Sequence, residues 1–498
     1  MLPATGRPVA DLLAELDRLK AADLPTRGEN VTAYVYDSGR PEVREAAERA
    51  YLAMLEVNSL DPTAFPSTVA LERAVVAAVA SRLGGDAATP GIFTSGGTES
   101  IMLAVKAARD ARPDIAAPRM VVPVTAHAAF HKAGAYLRVA MDTVPVDPAT
   151  FRADPQAMAA ACTQDTVLVV ASAPSYAQGV VDPIEEIAAV AAERNLPCHV
   201  DACVGGWLLP WLADAGAEIP AFDLSVPGVT SISCDLHKFG YAPKGASVLL
   251  FRDAAMRMAA YYACAAWPGY PIVNSTVQSS KGAGPLAGAW ATLQALGEDG
   301  YRQLGREALE ATRRLVEGIA QIEGLEVLGT PQATLVAIGS STLDLFALAD
   351  RSRARGFFLQ PQMAVDGLPA SVHITLTGVS AAGIDSMLTA LAEAASDLRA
   401  DGPAKPRTDL VELVAQLDLE HMDDATFASL LPAAGWETAV APAPAGESGE
   451  GGDAVERGEA GAPAMAAINN LLNALPPHQR ELIIKRFISV LYSPHLDA

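Results

Sequence analysis

An alternation of short uncharged runs with helical stretches is the feature that most constrains the fold of this chain. It extends from Thr98 to Ser340, and its β-rich runs cover residues 120–123, 167–172, 198–201, 231–235 and 246–251. Uncharged strands separated by helices are typical of a mostly parallel sheet with helices on both faces. We therefore predict an α/β fold, and we expect its ligand at the carboxyl ends of the strands.

Helical periodicity and composition divide the chain into six segments. A helical N-terminal segment (1–66) precedes a large α/β domain (67–300), which is followed by a smaller α+β domain (301–402) and a helical extension (403–440). Residues 441–464 are almost wholly Ala, Pro, Gly, Ser and Glu, which predicts a disordered acidic linker. Residues 465–498 return to helical spacing, and we expect them to form a docking or oligomer element.

Charge, apolar runs and cysteines argue against several classes of protein. With 36 basic and 58 acidic side chains the net charge is −22, so a nucleic acid would be repelled. The uncharged stretch of residues 282–297 is shorter than the roughly 20 residues of a membrane-spanning helix, and the first residues lack the pattern of a secretory signal. The five cysteines are an odd number without paired CxxC spacing. We expect a cytoplasmic protein without a transmembrane segment, a disulfide framework or a metal site.

Two charged residues stand at the ends of predicted strands. Lys238 follows His237 in a loop punctuated by glycine and proline, which is typical of a lysine that forms a Schiff base after desolvation depresses its pKa. A solvated loop lysine would have the same pattern. Asp201 ends an apolar strand, where it would pair with the protonated ring nitrogen of pyridoxal phosphate or cap the following helix.

A turn of small residues and a pair of histidines complete the candidates. Residues 93–100 include Gly97 and Thr98 and open a helical run, so their backbone N–H groups would hold a phosphate. An ordinary strand-to-helix turn capped by Thr98 explains the pattern equally well. His127 and His131 are four residues apart, a zinc spacing, but no third ligand is clear, so a stacking role for one of them is more economical.

The order of these signals along the chain resembles the fold-type I pyridoxal-phosphate enzymes. The resemblance is to the group II decarboxylase family, in the branch that contains the sphingosine-1-phosphate lyases, and it extends from about Val31 to Ala400. It is closest at residues 94–101, 125–130, 172–176 and 237–245, and Gly-Tyr-Ala-Pro-Lys-Gly after the His-Lys pair looks like the lyase branch. The implied fold is a large, mostly parallel-sheet domain of the fold-type I transferase-like kind with a smaller α+β C-terminal domain.

The resemblance implies pyridoxal 5'-phosphate as the cofactor and assigns residues to it. Lys238 would hold the cofactor covalently, His127 would stack on its ring, and Asp201 would pair with the ring nitrogen. Its phosphate would contact Gly97, Thr98 and His237.

Four more residues match positions of the lyase branch. Tyr36, Tyr176 and Lys244 would lie near the phosphate and the hydroxyl of the substrate. Ser280 aligns with a segment that reaches the cofactor phosphate of a neighbouring subunit, which implies a homodimer with a shared active site.

The implied activity is cleavage of a carbon–carbon bond. A phosphorylated sphingoid base, or a similar 2-amino-3-hydroxy phosphate, would break by a retro-aldol step into a fatty aldehyde and phosphoethanolamine. An amino-acid α-decarboxylase is the alternative, and a non-catalytic scaffold with the same fold is a third hypothesis.

Two departures from the lyase pattern bear on the substrate. Asp61 replaces a histidine on the substrate side, and Lys281 replaces an arginine. A carboxylate near a substrate phosphate would weaken binding, which gives the decarboxylase alternative some weight. We expect a local cluster of Lys238, Lys244 and Lys281 to attract an anionic substrate against the net negative charge of the protein.

Overall fold

A computed structural model of the protein describes residues 2–402, 408–431 and 465–493. The fold is built around a seven-stranded sheet. Its strands are β1 (Gly91–Thr94), β2 (Arg119–Pro123), β3 (Ala140–Val144), β4 (Thr166–Ser172), β5 (Cys198–Asp201), β6 (Val229–Cys234) and β7 (Ser247–Phe251).

The strand order is β1-β7-β6-β5-β4-β2-β3, and only β7 runs antiparallel to its neighbours. The predicted α/β fold with a mostly parallel sheet is therefore confirmed, and each of the five predicted runs lies within two residues of an observed strand. The prediction omits β1 and β3. Strand β3 lies at the edge of the sheet with most of its residues partly exposed, so it lacks the apolar run that marks a buried strand.

Alternate residues of the sheet point into two separate cores, because successive side chains of a strand face opposite sides. Met120 and Val122 of β2 belong to one core, whereas Val121 between them belongs to the other. The helices that accompany the large sheet are α1 (Val9–Lys20), α2 (Pro41–Ala53), α3 (Pro66–Arg82), α4 (Gly97–Asp110), α5 (Ala129–Leu137), α6 (Pro155–Ala161), α7 (Ile184–Glu193), α8 (Leu209–Asp214) and α9 (Ala254–Ala260). Helices α4 and α5 cover the first face, while α3 and α7 cover the second.

A short hairpin and a long helix lead from the large domain to the small one. The hairpin pairs β8 (Tyr262–Cys264) with β9 (Ile272–Asn274). Helix α10 (Gly284–Ile319) has 36 residues and is kinked at Gly297, where φ is 57°. Helix α10 continues past residue 300, the position at which we predict the end of the large domain.

The small domain is an antiparallel sheet covered by helices. Its strands lie in the order β10 (Glu326–Val327), β11 (Leu335–Gly339), β13 (Ser371–Thr375) and β12 (Gln360–Gln362). The helices α11 (Leu345–Ala354) and α12 (Ile384–Asp401) pack their apolar faces into the same core.

In residues 408–431 and 465–493, which the structure describes, four more helices form a C-terminal module: α13 (Thr408–Ala415), α14 (Asp424–Leu430), and the helices Ala466–Ala474 and Pro477–Leu491. They bury a common apolar core that includes Phe427, Leu472 and Ile483. The predicted linker 441–464 lies outside the described residues. Within the described ranges, no helix combines the length and the apolar character needed to cross a membrane.

Candidate active site

A cavity of about 380 Å³ opens at the carboxyl ends of β4, β5 and β6. Strands that run parallel bring their carboxyl ends to one edge of a sheet, so residues that are far apart in sequence meet there. The lining includes seven of the predicted site residues: Gly97, Thr98, His127, Tyr176, Asp201, His237 and Lys238.

Lys238 lies in the turn after β6 and forms an ion pair inside this cavity. Its Nζ is 2.9 Å from Oδ2 of Asp235, whose side chain is buried. Burial is the largest single effect and disfavours the charged lysine, but the Asp235 carboxylate together with Cys203 and Tyr36 outweighs burial, so the pKa of Lys238 is raised. The expectation of a depressed pKa is therefore wrong, because it considered desolvation without the buried carboxylate.

Asp235 also faces the histidine that precedes Lys238. Nδ1 of His237 accepts the backbone N–H of Ala246 at 3.2 Å, so the ring proton is on Nε2 when the ring is neutral. This Nε2 points toward Oδ2 of Asp235 at 3.6 Å. Burial lowers the pKa of His237 although Asp235 opposes the shift, so a neutral ring with a donor N–H lies beside the cavity.

The phosphate turn is the start of α4. Its N-cap is Gly96, whose φ of 157° favours glycine, and no side chain caps the helix. The interpretation of Thr98 as the cap is therefore wrong, and the N–H groups of the first turn are open to an anion. A Cβ on Gly97 would lie 2.7 Å from Sγ of Cys203 and 2.8 Å from Oδ2 of Asp235, so only glycine fits.

Glu99 holds this turn in place. One of its carboxylate oxygens accepts the N–H of Ser95 at 2.7 Å, and the other accepts the N–H of Val277 at 2.8 Å. The Glu99 carboxylate therefore links the phosphate turn to the segment after β9.

Asp201 is at the end of β5, and its exposed fraction is only 7%. Its Oδ1 accepts the N–H of Cys203 at 3.1 Å and faces Oγ of Ser233 at 3.5 Å. Among the described residues, no hydrogen bond reaches Oδ2. One oxygen thus stabilises the local turn, while the other is available to a cationic ring in the cavity.

His127 forms another part of the cavity wall. Its Nδ1 accepts the N–H of Ala129 at 3.1 Å, which fixes the plane of the ring. His131 does not line the cavity. In the ranges that the structure describes, no three His, Cys, Asp or Glu side chains are grouped so that they would hold a metal ion. A stacking role for His127 fits this placement.

Tyr176 is fixed by two groups of the small domain. Its hydroxyl donates to Oε1 of Gln360 at 2.7 Å, and its ring stacks on His373 at a centroid distance of 4.3 Å. Burial raises the pKa of Tyr176 well above its usual range, so the phenol stays protonated at neutral pH.

Tyr36 and Lys244 lie close to the cavity but are not part of its lining. Nζ of Lys244 is 5.1 Å from the ring centroid of Tyr36 and donates to the carbonyl of Tyr34 at 3.0 Å. Burial and the Lys238 ammonium lower the pKa of Lys244. Burial raises the pKa of Tyr36, although the positive charge of Lys238 opposes the shift.

The two departures from the lyase pattern both lie outside the cavity. Asp61 is exposed, and its Oδ1 accepts the N–H of Thr63 at 2.8 Å. Lys281 is buried, with Nζ 3.1 Å from Oε2 of Glu72 and 2.8 Å from the carbonyl oxygen of Phe93. The expectation that Lys281 attracts substrate is wrong, because its charge is neutralised inside the fold. Ser280 is exposed and does not line the cavity of its own chain.

Sequence reasoning missed three residues of the site. Asp235 stands three residues before Lys238, and this spacing at a strand end was a usable signal. Gln360 and His373 are on different strands of the small domain, and no pattern along the sequence links them to Tyr176.

Known proteins resemble this chain in sequence and in structure. Residues 51–339 match the pyridoxal-dependent decarboxylase conserved domain, and residues 408–490 match a domain described as the C-terminal putative HTH domain of pyridoxal-dependent enzymes. The sphingosine-1-phosphate lyase of Dictyostelium discoideum is 37% identical over 76% of this chain and 70% of its own length. The chain is also similar to the lyase of Saccharomyces cerevisiae, at 33% identity over 82% of this chain and 70% of that protein.

Solved structures give the same result. A Burkholderia pseudomallei sphingosine-1-phosphate lyase superimposes with a TM-score of 0.76 at 33% identity and covers 85% of this chain and 97% of its own. A Lactobacillus brevis glutamate decarboxylase reaches a TM-score of 0.69 at 20% identity, with 80% of this chain and 95% of its own covered. Because the glutamate decarboxylase is only 20% identical, its similarity shows the fold alone.

Proposed function

Because the chain belongs to the pyridoxal-dependent decarboxylase family and, within it, to the sphingosine-1-phosphate lyases, we propose that it is a carbon–carbon lyase. Its substrate is a phosphorylated sphingoid base or a similar 2-amino-3-hydroxy phosphate, and its products are a fatty aldehyde and phosphoethanolamine. The observation that carries the proposal is the single cavity into which Lys238, Asp201 and the open start of α4 converge.

The cavity fits pyridoxal phosphate. The uncapped start of α4 offers backbone N–H groups to a phosphate, and Gly97 lets this turn pack closely against Cys203 and Asp235. Asp201 offers an oxygen to a cationic ring nitrogen, and Lys238 offers an amine to the carbonyl group of the cofactor. When bound, the cofactor supplies an electron sink for the bond between carbons 2 and 3 of the substrate. His127 would cover the ring, and His237 in the cavity wall would lie near the phosphate.

Proton positions follow from the charges of the site. Asp235 keeps a proton on Nζ of Lys238 while that amine is free. Tyr36 and Tyr176 stay protonated because burial raises both pKa values. The Tyr36 hydroxyl would donate to the hydroxyl or the phosphate of the substrate, whereas the Tyr176 hydroxyl already donates to Gln360 and offers the substrate its oxygen as an acceptor. Because the free Lys238 already holds its proton in this ion pair, the substrate phosphate is left to take the proton of the 3-hydroxyl group.

The test is to incubate the holoenzyme with sphinganine-1-phosphate and, separately, with a panel of amino acids. We expect a fatty aldehyde from the first and no carbon dioxide from the second, and we expect Lys238→Ala to abolish aldehyde release. Carbon dioxide from an amino acid, without aldehyde from any phosphorylated amino alcohol, would establish the decarboxylase alternative. If the purified protein is inert toward both and shows no visible cofactor band, the hypothesis of a non-catalytic scaffold is correct.

A homodimer with a shared active site is part of this proposal. Ser280 is exposed in the segment after β9, and the neighbouring Trp267, Tyr270 and Val273 expose apolar side chains. Exposed apolar groups on a surface segment are typical of an interface. A second subunit would cover them and receive Ser280 at its cofactor phosphate.

We also propose a cytoplasmic location. All five cysteines are free thiols in the fold, which agrees with a reducing compartment. A fusion to a fluorescent protein would test this location directly.

A further inference from the structure

We propose that the C-terminal module positions Tyr176 in the active site by bracing strand β12, and that Gln360 of this strand is the positioning residue. The proposal deepens the proposed function, because it assumes that Tyr176 contacts the substrate. It also assigns an intramolecular role to a module whose family description suggests a helix-turn-helix.

The first link joins Tyr176 to the small domain. Gln360 on β12 is paired with His373 on β13, so the two side chains are cross-strand neighbours. Gln360 accepts the hydroxyl of Tyr176 at 2.7 Å, while His373 stacks on the ring and is itself held by Thr375 at 2.8 Å. A shift of β12 would therefore move the tyrosine hydroxyl.

The second link joins the end of β12 to the module. Met363 packs against the module core, and the N–H of Ala364 donates to Oδ1 of Asn473 at 2.7 Å. Nη1 of Arg480 donates to the carbonyl of Ala364 at 2.9 Å. The module thus holds both the N–H and the carbonyl group of Ala364, which lies four positions after Gln360.

A third set of contacts fixes the module itself. The N–H of Ala466 donates to Oδ2 of Asp350 at 2.7 Å, and Nδ2 of Asn470 donates to Oδ2 of Asp344 at 2.7 Å. These acids are on or next to α11, away from β12. Because the module is anchored to α11, it restrains the segment after β12 against the body of the small domain.

The charge of the module argues against a nucleic acid as its partner. Residues 408–431 and 465–493 carry seven acidic and three basic side chains, a net charge of −4. Two of the three cations are used internally: Arg480 donates to three backbone carbonyls, and Arg486 pairs with Asp424. A phosphate backbone needs a basic face, which the described part of the module does not offer.

The test compares two variants with matched controls in the full-length holoenzyme. Gln360→Leu removes the acceptor of the Tyr176 hydroxyl, and Gln362→Leu is its control, because Gln362 on the same strand contacts Ser371 instead. Asn473→Ala removes the contact to Ala364. Asn469→Ala is its control, because it is the same change one turn earlier on the same helix, and within the described residues the Asn469 side chain has no hydrogen bond to β12 or α11.

With sphinganine-1-phosphate we expect Gln360→Leu to lower kcat/KM about tenfold and Asn473→Ala about threefold, each mainly through a higher KM. The conservative variants Gln360→Glu and Asn473→Asp keep the acceptor oxygen and restore most of the loss. The two controls stay within about twofold of the wild type, since neither touches the brace.

Hydrogen–deuterium exchange gives a second measure that does not depend on the substrate. We expect faster exchange of residues 172–180 in Gln360→Leu and Asn473→Ala, and wild-type exchange in both controls. If Asn473→Ala matches Asn469→Ala in exchange and in turnover, the brace does not exist. If the wild type does not cleave sphinganine-1-phosphate, the proposed function fails, and exchange alone then decides the positioning role.

Discussion

Asp235 determines the protonation state of the active-site lysine. It is buried at the end of β6, 2.9 Å from Nζ of Lys238. Burial is the largest single effect and raises the pKa of Asp235, but the charges of Lys238 and His237 and the hydrogen bonds to the carboxylate together lower it below its usual value. The pair is therefore ionised at neutral pH. This ion pair makes Lys238 a poor nucleophile until its proton is removed, which a lysine surrounded only by apolar groups would not require.

Replacement of Asp235 by asparagine should make the lysine easier to deprotonate. Without the carboxylate, burial lowers the pKa of Lys238 unopposed, so the apoprotein should bond to pyridoxal phosphate at lower pH than the wild type. The measurement is the rate of appearance of the visible cofactor band as a function of pH. Asp253→Asn is the control, because it is the same change at a carboxylate that caps α9 outside the cavity. An unchanged pH profile in Asp235→Asn would contradict this role.

Two buried histidines should make the stability of the protein depend on pH. Burial lowers the pKa of His199 and of His373 to about 4 each, against 6.5 in the unfolded chain. Above pH 6.5 both histidines are neutral in the folded and the unfolded chain, so they do not change the free energy of unfolding. As the pH falls from 6.5 toward 4, only the unfolded chain takes up the protons, and each histidine should lower the free energy of unfolding by about 1.4 kcal/mol per pH unit.

The variants His199→Asn and His373→Gln keep a polar partner for Ser231 and Thr375 but cannot titrate. Urea denaturation at several pH values should give a flatter slope for each variant than for the wild type. His131→Asn, at an exposed position of α5, is the control. Equal slopes for all four proteins would show that the buried histidines are not the cause.

At the scale of elements, the carboxyl ends of β4 to β6 and the start of α4 make the site. The strands end at one edge because they are parallel, and α4 begins opposite them without a side-chain cap. A helix of 14 residues directs its dipole and its free N–H groups into the cavity. The anion site is therefore a property of the element, and no basic side chain is needed to create it.

Gly97→Ala should weaken cofactor binding by at least about tenfold, because the added Cβ would lie under 3 Å from Cys203 and Asp235. Equilibrium dialysis of pyridoxal phosphate against the apoprotein measures the effect. Gly300→Ala on α10 is the control, since its nearest neighbour is the flexible side chain of Leu296. Wild-type affinity in Gly97→Ala would place the phosphate elsewhere.

At the scale of the whole molecule, the large domain supplies the cofactor residues and the small domain supplies the groups that hold Tyr176. Helix α10 connects the two, and its side chains pass from one core to the other between Leu304 and Ala311. The site therefore depends on how the domains pack together. The proposed dimer would add a third contributor, the exposed Ser280 of a second subunit.

Mixed dimers test this arrangement. Lys238→Ala removes the lysine, and Ser280→Asp places a negative charge where a phosphate is expected, so each homodimer should be inactive. When the two variants are denatured together and reassembled at random, half the dimers are mixed, and each mixed dimer has one intact site if Ser280 acts across the interface. We expect about a quarter of wild-type activity. No recovery would mean that Ser280 serves its own subunit, whereas an active Ser280→Asp homodimer would mean that Ser280 serves no site.

The sequence by itself determined the local properties of this protein. The alternation of uncharged runs and helical stretches predicted the parallel sheet, because a strand buried on both faces must be apolar along its length. The turn around Gly97, the end of β5 at Asp201 and the pair His237-Lys238 were visible because each is short and contiguous.

Only the tertiary structure decided which charges are free and which are paired. Lys281 was expected at the substrate but is neutralised by Glu72, 209 residues away in sequence, and Tyr176 is held by Gln360, 184 residues away. The electrostatic energy of a charge depends on what lies within a few ångströms of it in space, and sequence separation does not report that distance. Residue types therefore predicted the chemistry of the site, and packing set the protonation and position of its groups.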